Sequence, residues 1–262
     1  NILEKFRQFS DQNILKQPVK AKLPAPESPH EMIYEWKYAG KSYGIKETLY
    51  DSYYNFYAAE PKTYNYSTDS LPSNWEEDYF NMFLTRSEGD NTIPELTAKI
   101  REAGLKNNLS EDQIVELALS FVQSLVYDEV KAQKILSDNQ SVSPDYPYEV
   151  LYKKTGICSD KSFLAYSLMK ELGYGVTFFV YEKENHMSIG IQCPQSYSTY
   201  NSGYCYAETT SLGNKIGIIP DLNTTNNSAT SAKEFAYFNA SDNNQSDIKA
   251  MGEAKIRNSM QG

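Results

Sequence analysis

The stretch Gly156-Ile157-Cys158-Ser159-Asp160-Lys161-Ser162-Phe163-Leu164 decides the fold of this chain, because it places a cysteine where a loop ends and a helix begins. Leu164, Leu168 and Leu172 recur at helical spacing, and Gly173 predicts the end of the helix. On a first helical turn, free backbone N–H groups and the helix dipole favour a negative charge. Such a position lowers the pKa of a thiol, so we expect Cys158 to be a nucleophile.

A nucleophilic thiol needs a base, and the chain contains only two histidines. Residues 176–181 are β-branched and aromatic and predict a strand, and residues 186–192 predict the strand that returns after a polar turn. Alternation along the second strand puts its apolar residues on a core face and His186 on the face left for a cleft. We therefore expect His186 to be the base.

A third predicted strand, residues 203–210, contains Glu208. If this strand pairs antiparallel with the strand of His186, Glu208 comes opposite His186 and hydrogen-bonds its far ring nitrogen. That is the arrangement of a nucleophile, a base and an orienting carboxylate. Taken singly, Cys158 could be a small buried hydrophobe, His186 a structural residue and Glu208 a solvated strand residue. Their order within suitable elements favours the catalytic interpretation.

These residues resemble the transglutaminase-like superfamily, a branch of the papain-like cysteine enzymes. The motifs are Gly-x-Cys-x-Asp-Lys-Ser at 156–162, Asn-His-Met at 185–187 and Tyr-x-Glu-Thr-Thr at 206–210. The arrangement is most similar to a prokaryotic branch. The resemblance implies an α+β papain-like core, in which the helix bearing the cysteine packs on an antiparallel sheet.

For the site, the resemblance implies Cys158 as nucleophile, His186 as general base and acid, and Glu208 as the residue that orients the histidine. Many relatives have aspartate at the third position, so Glu208 departs from the commoner pattern and keeps its carboxylate chemistry. The resemblance also implies an oxyanion donor on the preceding helix, besides the backbone N–H of Cys158. We choose Gln123 over Tyr127, because an amide donates while neutral; the alternative is that Gln123 is a plain exposed helix residue. Asp160 is expected to complement the helix dipole rather than to contact substrate.

The three cysteines leave one unpaired, and Cys158 is expected to be that one. Cys193 and Cys205 can form a short disulfide across the hairpin if the chain matures in an oxidising compartment. In the register that pairs His186 with Glu208 they are not directly opposite, so the pairing needs a bulge in the 194–203 loop. The alternative is two free thiols.

The composition limits the partners. A formal net charge of −9 makes nucleic acid an unfavourable partner. No metal or cofactor is expected, since Cys158, His186 and Glu208 would be the only plausible ligands and contain no close-spaced pair. No apolar run approaches the ~20 residues that span a bilayer. The chain begins at Asn1, so we expect that an upstream signal or membrane anchor was removed and that the protein is extracytoplasmic, either secreted or membrane-anchored.

The sequence predicts four regions. Residues 1–30 form an N-terminal segment with a proline-rich linker, and residues 31–105 form an α/β extension. The extension is expected to hold a hairpin of strands 32–38 and 42–47 around the turn at 39–41, with Trp36 as a packing anchor, and then a tyrosine-rich helix over 47–58. Residues 106–221 form the catalytic core. Residues 222–262 are rich in Asn and Ser, with a short helix expected at 246–257.

The function expected from this combination is cysteine-dependent acyl transfer. We favour a peptidase or amidohydrolase that acts on protein or peptide amides through a Cys158 thioester, because prokaryotic members of the superfamily are often peptidase-like and no calcium loop is recognisable. One alternative is a protein-glutamine transglutaminase that crosslinks proteins. Another is a non-catalytic surface binding module that keeps the fold, in which Cys158 would be buried or His186 would be turned away from it.

Overall fold

The computed structural model describes residues 21–64, 72, 75–137, 142–181 and 184–220. Most of the predicted segment 1–30 and all of 222–262, including the helix expected at 246–257, lie outside the described residues. The described part is an α+β structure with small sheets, as the sequence predicts. The division of the chain at residues 105 and 106 stays a prediction.

The N-terminal region opens with the expected hairpin, which is longer than predicted. Strands β1 (Pro29–Tyr38) and β2 (Lys41–Tyr50) pair antiparallel along their whole length. Trp36 is buried, stacks on Tyr43 and meets the edge of Phe121 with ring centroids 5.3 Å apart. Helix α1 (Asp51–Ala59) begins at Asp51 rather than at residue 47. The start predicted at 47 was wrong because residues 47–50 continue the hairpin ladder, which outweighs their helical pattern.

Within the described ranges, six further α-helices follow: α2 (Trp75–Leu84), α3 (Thr92–Lys106), α4 (Glu111–Ser124), α5 (Glu129–Ser137), α6 (Pro147–Lys153) and α7 (Cys158–Glu171). Ser110 caps α4, because its hydroxyl accepts from the N–H of Gln113 and the Gln113 side chain accepts in return from the N–H of Ser110. The capped helix is then able to pack its apolar side against α7.

Helix α7, which begins at the cysteine, lies at the centre of the described core. Phe163, Leu164 and Leu168 are completely buried, and the helix packs against α3, α4, α6 and the C-terminal sheet. The predicted end is confirmed: α7 stops at Glu171 and Gly173 adopts a φ of 87°. Glycine takes that left-handed conformation without the steric cost that other residues meet. The position of the cysteine helix is therefore fixed from several sides.

Two short sheets flank the start of α7. Strands β3 (Val126–Tyr127) and β4 (Thr155–Gly156) pair in parallel. Strands β5 (Val176–Tyr181), β6 (His186–Gln192) and β7 (Tyr204–Ala207) form an antiparallel sheet in that order. The apolar face of β6 is buried, as its alternation predicts.

The opposite face of β6 is not open along its length. Ser188 is fully buried, and a Cβ added at Gly190 would lie 2.6 Å from the ring of Phe179. The expectation that this whole face borders a cleft was therefore wrong, because aromatic side chains from the neighbouring strands cover it. The open part is restricted to the end that carries His186, whose side chain is partly exposed. Of the helices that the structure describes, none has the length and apolarity needed to cross a membrane.

Candidate active site

The cysteine sits at the start of α7 because the chain approaches itself closely there. A Cβ at Gly156 would lie 2.9 Å from the Cβ of Asp160, so only glycine fits. The Asp160 carboxylate in turn accepts a hydrogen bond of 3.0 Å from the N–H of Ile157, the residue that precedes the helix. This contact satisfies one of the N–H groups that have no partner inside a helix. Cys158 follows as the first helical residue and is 3% exposed.

Asp160 is completely buried among charges that fix the loop before the helix. Its carboxylate lies 2.7 Å from the Nζ of Lys131 and accepts a 2.8 Å bond from the N–H of Asp145. Burial raises the pKa of the Asp160 carboxyl, and the charge of Lys131 opposes that shift. With these partners, Asp160 orients the cysteine turn from inside the protein.

His186 begins β6 directly after a tight turn. Asn185 has a φ of 49°, a left-handed conformation that asparagine tolerates better than most residues. The Nε2 atom of His186 lies 3.0 Å from Oε2 of Glu208, and the ring also hydrogen-bonds the side chain of Cys158. Since Nε2 faces the carboxylate, Nδ1 is the nitrogen left for the thiol.

The contacts of His186 favour its charged form. Burial by itself lowers the pKa of the imidazole, but the hydrogen bonds and charges of Cys158 and Glu208 outweigh burial and raise the pKa of His186 to about 10. An imidazolium at neutral pH stabilises a thiolate beside it. The arrangement can therefore hold a thiolate–imidazolium pair.

Glu208 reaches His186 from a register that differs from the expected one. Ile189 lies opposite Ala207, so the position opposite Glu208 is Ser188 rather than His186. The expected direct pairing was wrong, because β7 is shifted along β6 and Glu208 lies just beyond its last paired residue. The carboxylate reaches the imidazole diagonally, a distance that a long side chain can cover between strands.

Five donors surround the buried Glu208 carboxylate. Oε2 accepts from His186 Nε2 and the Tyr206 hydroxyl, and Oε1 accepts from the N–H of Thr209 and from both the N–H and hydroxyl of Thr210. Burial raises the pKa of Glu208, but the bond and charge of His186, then Thr210 and Tyr206, lower it to about 2. Because four of the five donors are neutral, Glu208 remains an anion when His186 gives up its proton.

Gln123 does not direct its amide at the thiol. Its Nε2 donates to the backbone carbonyls of Glu208 and Asn214, both at 2.9 Å, and its Oε1 accepts from the N–H of Gly213 at 3.0 Å. The choice of Gln123 as oxyanion donor was wrong, because both amide hydrogens are used by carbonyls. The side chain is buried and fixes the loop after β7 instead, so the alternative of an exposed helix residue was wrong as well.

Tyr127, at the end of β3, pairs with Gly156, two residues before Cys158. Burial raises the pKa of the Tyr127 hydroxyl, and among its electrostatic partners Cys158 contributes most. The side chain is only partly buried. A protonated phenol close to the thiol is a neutral hydrogen-bond donor, the property that was expected of Gln123.

Two residues of the site had no role assigned from the sequence. Lys161 is fully buried one turn after Cys158, and its Nζ donates to the carbonyls of Gln123 and Leu125 at the end of α4. Burial lowers the pKa of Lys161 to about 8, against the opposing charge of Glu208. Tyr206, which binds Glu208, also lies 3.3 Å from His186 Nε2. Period-two spacing from Glu208 was the signal that could have identified Tyr206.

Cys193 and Cys205 are joined in a disulfide, and Cys158 is the free cysteine. The two bonded residues are not directly opposite, since Cys205 pairs with Ile191 and the N–H of Cys193 bonds the carbonyl of Gly203. The shift of β7 along β6 puts Ser188 rather than His186 opposite Glu208. The same shift brings Cys193 and Cys205 closer together than they would be in the expected register. The intervening loop contains two single-turn helices, Gln195–Tyr197 and Thr199–Asn201.

Within the described ranges, no three His, Cys, Asp or Glu side chains converge as metal ligands would.

Residues 95–199 match the family model of a transglutaminase-like domain. The matched range includes Cys158 and His186, and Glu208 lies just after it. No significant match was found among curated proteins or among solved structures. The match supports the transglutaminase-like superfamily, which the motif around Cys158 also indicates.

Proposed function

We propose that this protein is a cysteine-dependent acyl-transfer enzyme that hydrolyses amide bonds of proteins or peptides through a thioester on Cys158. The observation that carries this proposal is the position of His186, which contacts the thiol of Cys158 and the carboxylate of Glu208 at once. The family match supports a cysteine-dependent enzyme in general. The hydrolytic reaction and the residue roles are our proposal.

In the proposed resting site the thiol proton is already on His186, and in the first half-reaction the Cys158 thiolate attacks the carbonyl carbon of the amide. The carbonyl oxygen becomes an oxyanion. When the C–N bond breaks, the imidazolium protonates the leaving nitrogen and a thioester remains on Cys158. Glu208 keeps the imidazole in the tautomer and orientation that these proton transfers require.

In the second half-reaction, neutral His186 removes a proton from water, and the hydroxide attacks the thioester. The C–S bond breaks, the acid product leaves, and the thiolate–imidazolium pair is restored. A lysine amine in place of water would form a new amide, which is transamidation. We retain hydrolysis as the favoured reaction on the sequence grounds given above.

The oxyanion needs donors that are already in place. The N–H of Cys158 is one of the helix-start groups that lack a partner inside α7. We propose the hydroxyl of Tyr127 as the second donor, because Tyr127 pairs with Gly156, two residues before Cys158, and Cys158 is among its electrostatic partners. This assignment replaces Gln123, whose amide is occupied.

One observation favours the alternative of a non-catalytic binding module. Cys158 is only 3% exposed, and burial of the thiol was the feature expected of such a module. His186, by contrast, faces the thiol and is not turned away. The enzyme hypothesis and the binding-module hypothesis differ in whether a reagent in solution reaches the sulfur of Cys158. The first experiment therefore measures that access.

The proposed substrates are proteins or peptides in an extracytoplasmic compartment. The Cys193–Cys205 disulfide supports an oxidising environment. The net charge of −9 argues against nucleic acid and is compatible with neutral or basic substrates.

The first test is the rate of iodoacetamide modification of Cys158 as a function of pH, measured by peptide mass for wild type and His186→Ala. An ordinary thiol titrates near ~8.5. We expect the wild-type thiol to react well below that pH and the low-pH limb to vanish in His186→Ala. If Cys158 is inert, or behaves as an ordinary thiol in both proteins, the binding-module reading replaces the enzyme reading.

The second test separates hydrolysis from transamidation. A peptide library is incubated with the protein, with and without a labelled primary amine, and Cys158→Ala is the control. New amino termini without amine incorporation are expected. Incorporation of the label into glutamine side chains without new termini would contradict hydrolysis and support a transglutaminase.

A further inference from the structure

Beside the proposed site lies a loop that holds a tyrosine in an unusual conformation. The Cys193–Cys205 disulfide closes this loop, and Tyr200 within it has φ 56° and ψ 28°. The left-handed region is uncommon for bulky residues, which pay a steric cost there. Backbone strain of this kind persists only where the surroundings enforce it, and it clusters at ligand and catalytic sites. Tyr200 is nevertheless 51% exposed.

The surroundings that hold Tyr200 also aim its ring. The Thr199 hydroxyl accepts a 2.9 Å bond from the N–H of Tyr206, which fastens the loop to β7. The Tyr200 ring meets Phe179 edge to face, with centroids 6.0 Å apart. Its hydroxyl donates to the hydroxyl of Tyr181 at 3.2 Å. Tyr200 and Tyr181 thus form a continuous aromatic wall, backed by Phe179.

The aromatic wall of Tyr181 and Tyr200 stands on the imidazole side of the thiol. Tyr181 is the strand partner of His186, and their ring centroids are 6.4 Å apart. In the proposed reaction His186 protonates the leaving nitrogen, so the amine half of the substrate must lie within reach of the imidazole. The wall is therefore beside the amine half and not beside the acyl half.

The charges near the wall favour a cation. In the proposed reaction the resting triad combines a thiolate, an imidazolium and the Glu208 carboxylate, so its net charge is negative. Glu184 adds a second carboxylate that acts on Tyr181. The faces of tyrosine rings also attract cations, through their quadrupole. Electrostatics and ring chemistry thus favour the same class of ligand.

We propose that Tyr181 and Tyr200 form a subsite for a basic side chain, lysine or arginine, on the residue that follows the scissile bond. The inference rests on the proposed function, because that function places the leaving amine beside His186. It adds a substrate preference that the family match does not contain. The disulfide would serve the subsite by holding the strained Tyr200 in place.

The test compares reagents of different charge at Cys158, the free cysteine of the described structure. The rates of modification by the methanethiosulfonates with trimethylammonium-ethyl, methyl and sulfonato-ethyl groups are measured at pH 7. The ratio of the cationic to the neutral rate reports the subsite, and the neutral rate alone reports the thiolate. In Tyr200→Leu we expect this ratio to fall about two- to five-fold, the effect of losing one exposed cation–π contact.

Tyr200→Phe is the matched control, because it keeps the ring and removes only the hydroxyl. It should retain most of the wild-type ratio, whereas Glu184→Gln should lower it. An unchanged ratio in both Tyr200→Leu and Glu184→Gln would overturn the subsite while leaving the proposed function intact. A thiol that reacts no faster than an ordinary cysteine with the neutral reagent would overturn the proposed function and, with it, the subsite.

A second measurement uses the reaction itself. Cleavage sites in a mixed peptide library are identified by mass spectrometry for wild type, Tyr200→Leu and Tyr200→Phe. We expect lysine and arginine to be enriched after the cleaved bond with wild type and Tyr200→Phe, and the enrichment to be lost with Tyr200→Leu. Enrichment of apolar or acidic residues at that position with wild type would overturn the inference.

Discussion

Replacing Glu208 with glutamine removes the charge behind His186 while keeping the size of the side chain. The contacts of His186 raise its pKa from 6.5 to about 10, a difference of about 5 kcal/mol between its two protonation states. Glu208 supplies both a hydrogen bond and a charge to this shift. A hydrogen bond to a charged group contributes about 1.5–3 kcal/mol. Glu208→Gln should therefore lower the pKa of His186 by one to two units, as an order of magnitude.

At pH 6 His186 stays charged in both proteins, because a pKa lowered to about 8–9 still lies well above that pH. The two proteins differ between about pH 8 and 10, where wild-type His186 keeps its proton and His186 of Glu208→Gln has lost it. The ring C–H resonances of His186, followed by NMR as the pH is raised, should therefore show a titration midpoint about one to two units lower in Glu208→Gln than in wild type. Circular dichroism reports whether the variant is folded.

Glu47→Gln is the matched control. Glu47 is also a buried carboxylate, but it lies on strand β2 of the N-terminal hairpin and pairs with Lys99 of α3. The midpoint of His186 in Glu47→Gln should match that of wild type. If the midpoint in folded Glu208→Gln also matches wild type, the reasoning that the Glu208 carboxylate raises the pKa of His186 is refuted. An equal shift in both variants would instead indicate a general effect on folding.

Three further predictions concern stability, each measured by urea unfolding. Tyr206→Phe should lower the free energy of unfolding by about 1.5–3 kcal/mol at pH 7, because it removes a hydrogen-bond donor to ionised Glu208. This loss should become smaller as the pH falls from 4.5 toward 2, where the carboxylate of the folded protein takes up its proton. An equal cost at pH 3 and pH 7 would contradict this. The Cys193→Ser/Cys205→Ser double variant should lose about 3 kcal/mol, as expected for a short closed loop, and a loss under 1 kcal/mol would count against it. The pKa of Lys161 is about 8 in the folded protein and 10.5 in the unfolded chain, so the free energy of unfolding of wild type should rise between pH 8 and 10.5. Relative to Lys161→Met, this rise should reach up to about 3 kcal/mol. A constant difference between the two proteins across that window would refute the lowered pKa of Lys161. His186, whose pKa is raised on folding, makes the protein less stable as the pH rises. This effect is present in both proteins, so it cancels in the comparison.

The local features of the cysteine turn could be predicted because they depend on short-range rules. The leucine spacing and Gly173 define α7 from within a few residues. The alternation of β6 identifies its buried face without knowledge of its neighbours. The hairpin around Trp36 follows from two β-rich segments and a turn between them.

The features that the sequence did not predict depend on contacts between distant segments. The two amide hydrogens of Gln123 are used by carbonyls near residues 208 and 214, and no pattern in the helix itself announces that. The apolar residues of α4 indicated which face of the helix packs into the core, but not which groups hydrogen-bond the Gln123 side chain on its last turn. Burial of Lys161 is similar, because its partners are carbonyls at the end of another helix. Lysine is rarely buried, and only tertiary structure supplies the acceptors that permit it.

The register of β7 favours a glutamate over an aspartate at position 208. With Ile189 opposite Ala207, the carboxylate must reach His186 diagonally from beyond the last ladder pair. Aspartate is shorter by one methylene and would have to span the same diagonal. The longer side chain also lets its second oxygen turn back to the N–H groups of Thr209 and Thr210. The Glu-Thr-Thr sequence therefore acts as a single unit. Glutamate supplies the reach, and the two threonines supply neutral donors that keep the buried carboxylate ionised when His186 exchanges its proton in the proposed reaction.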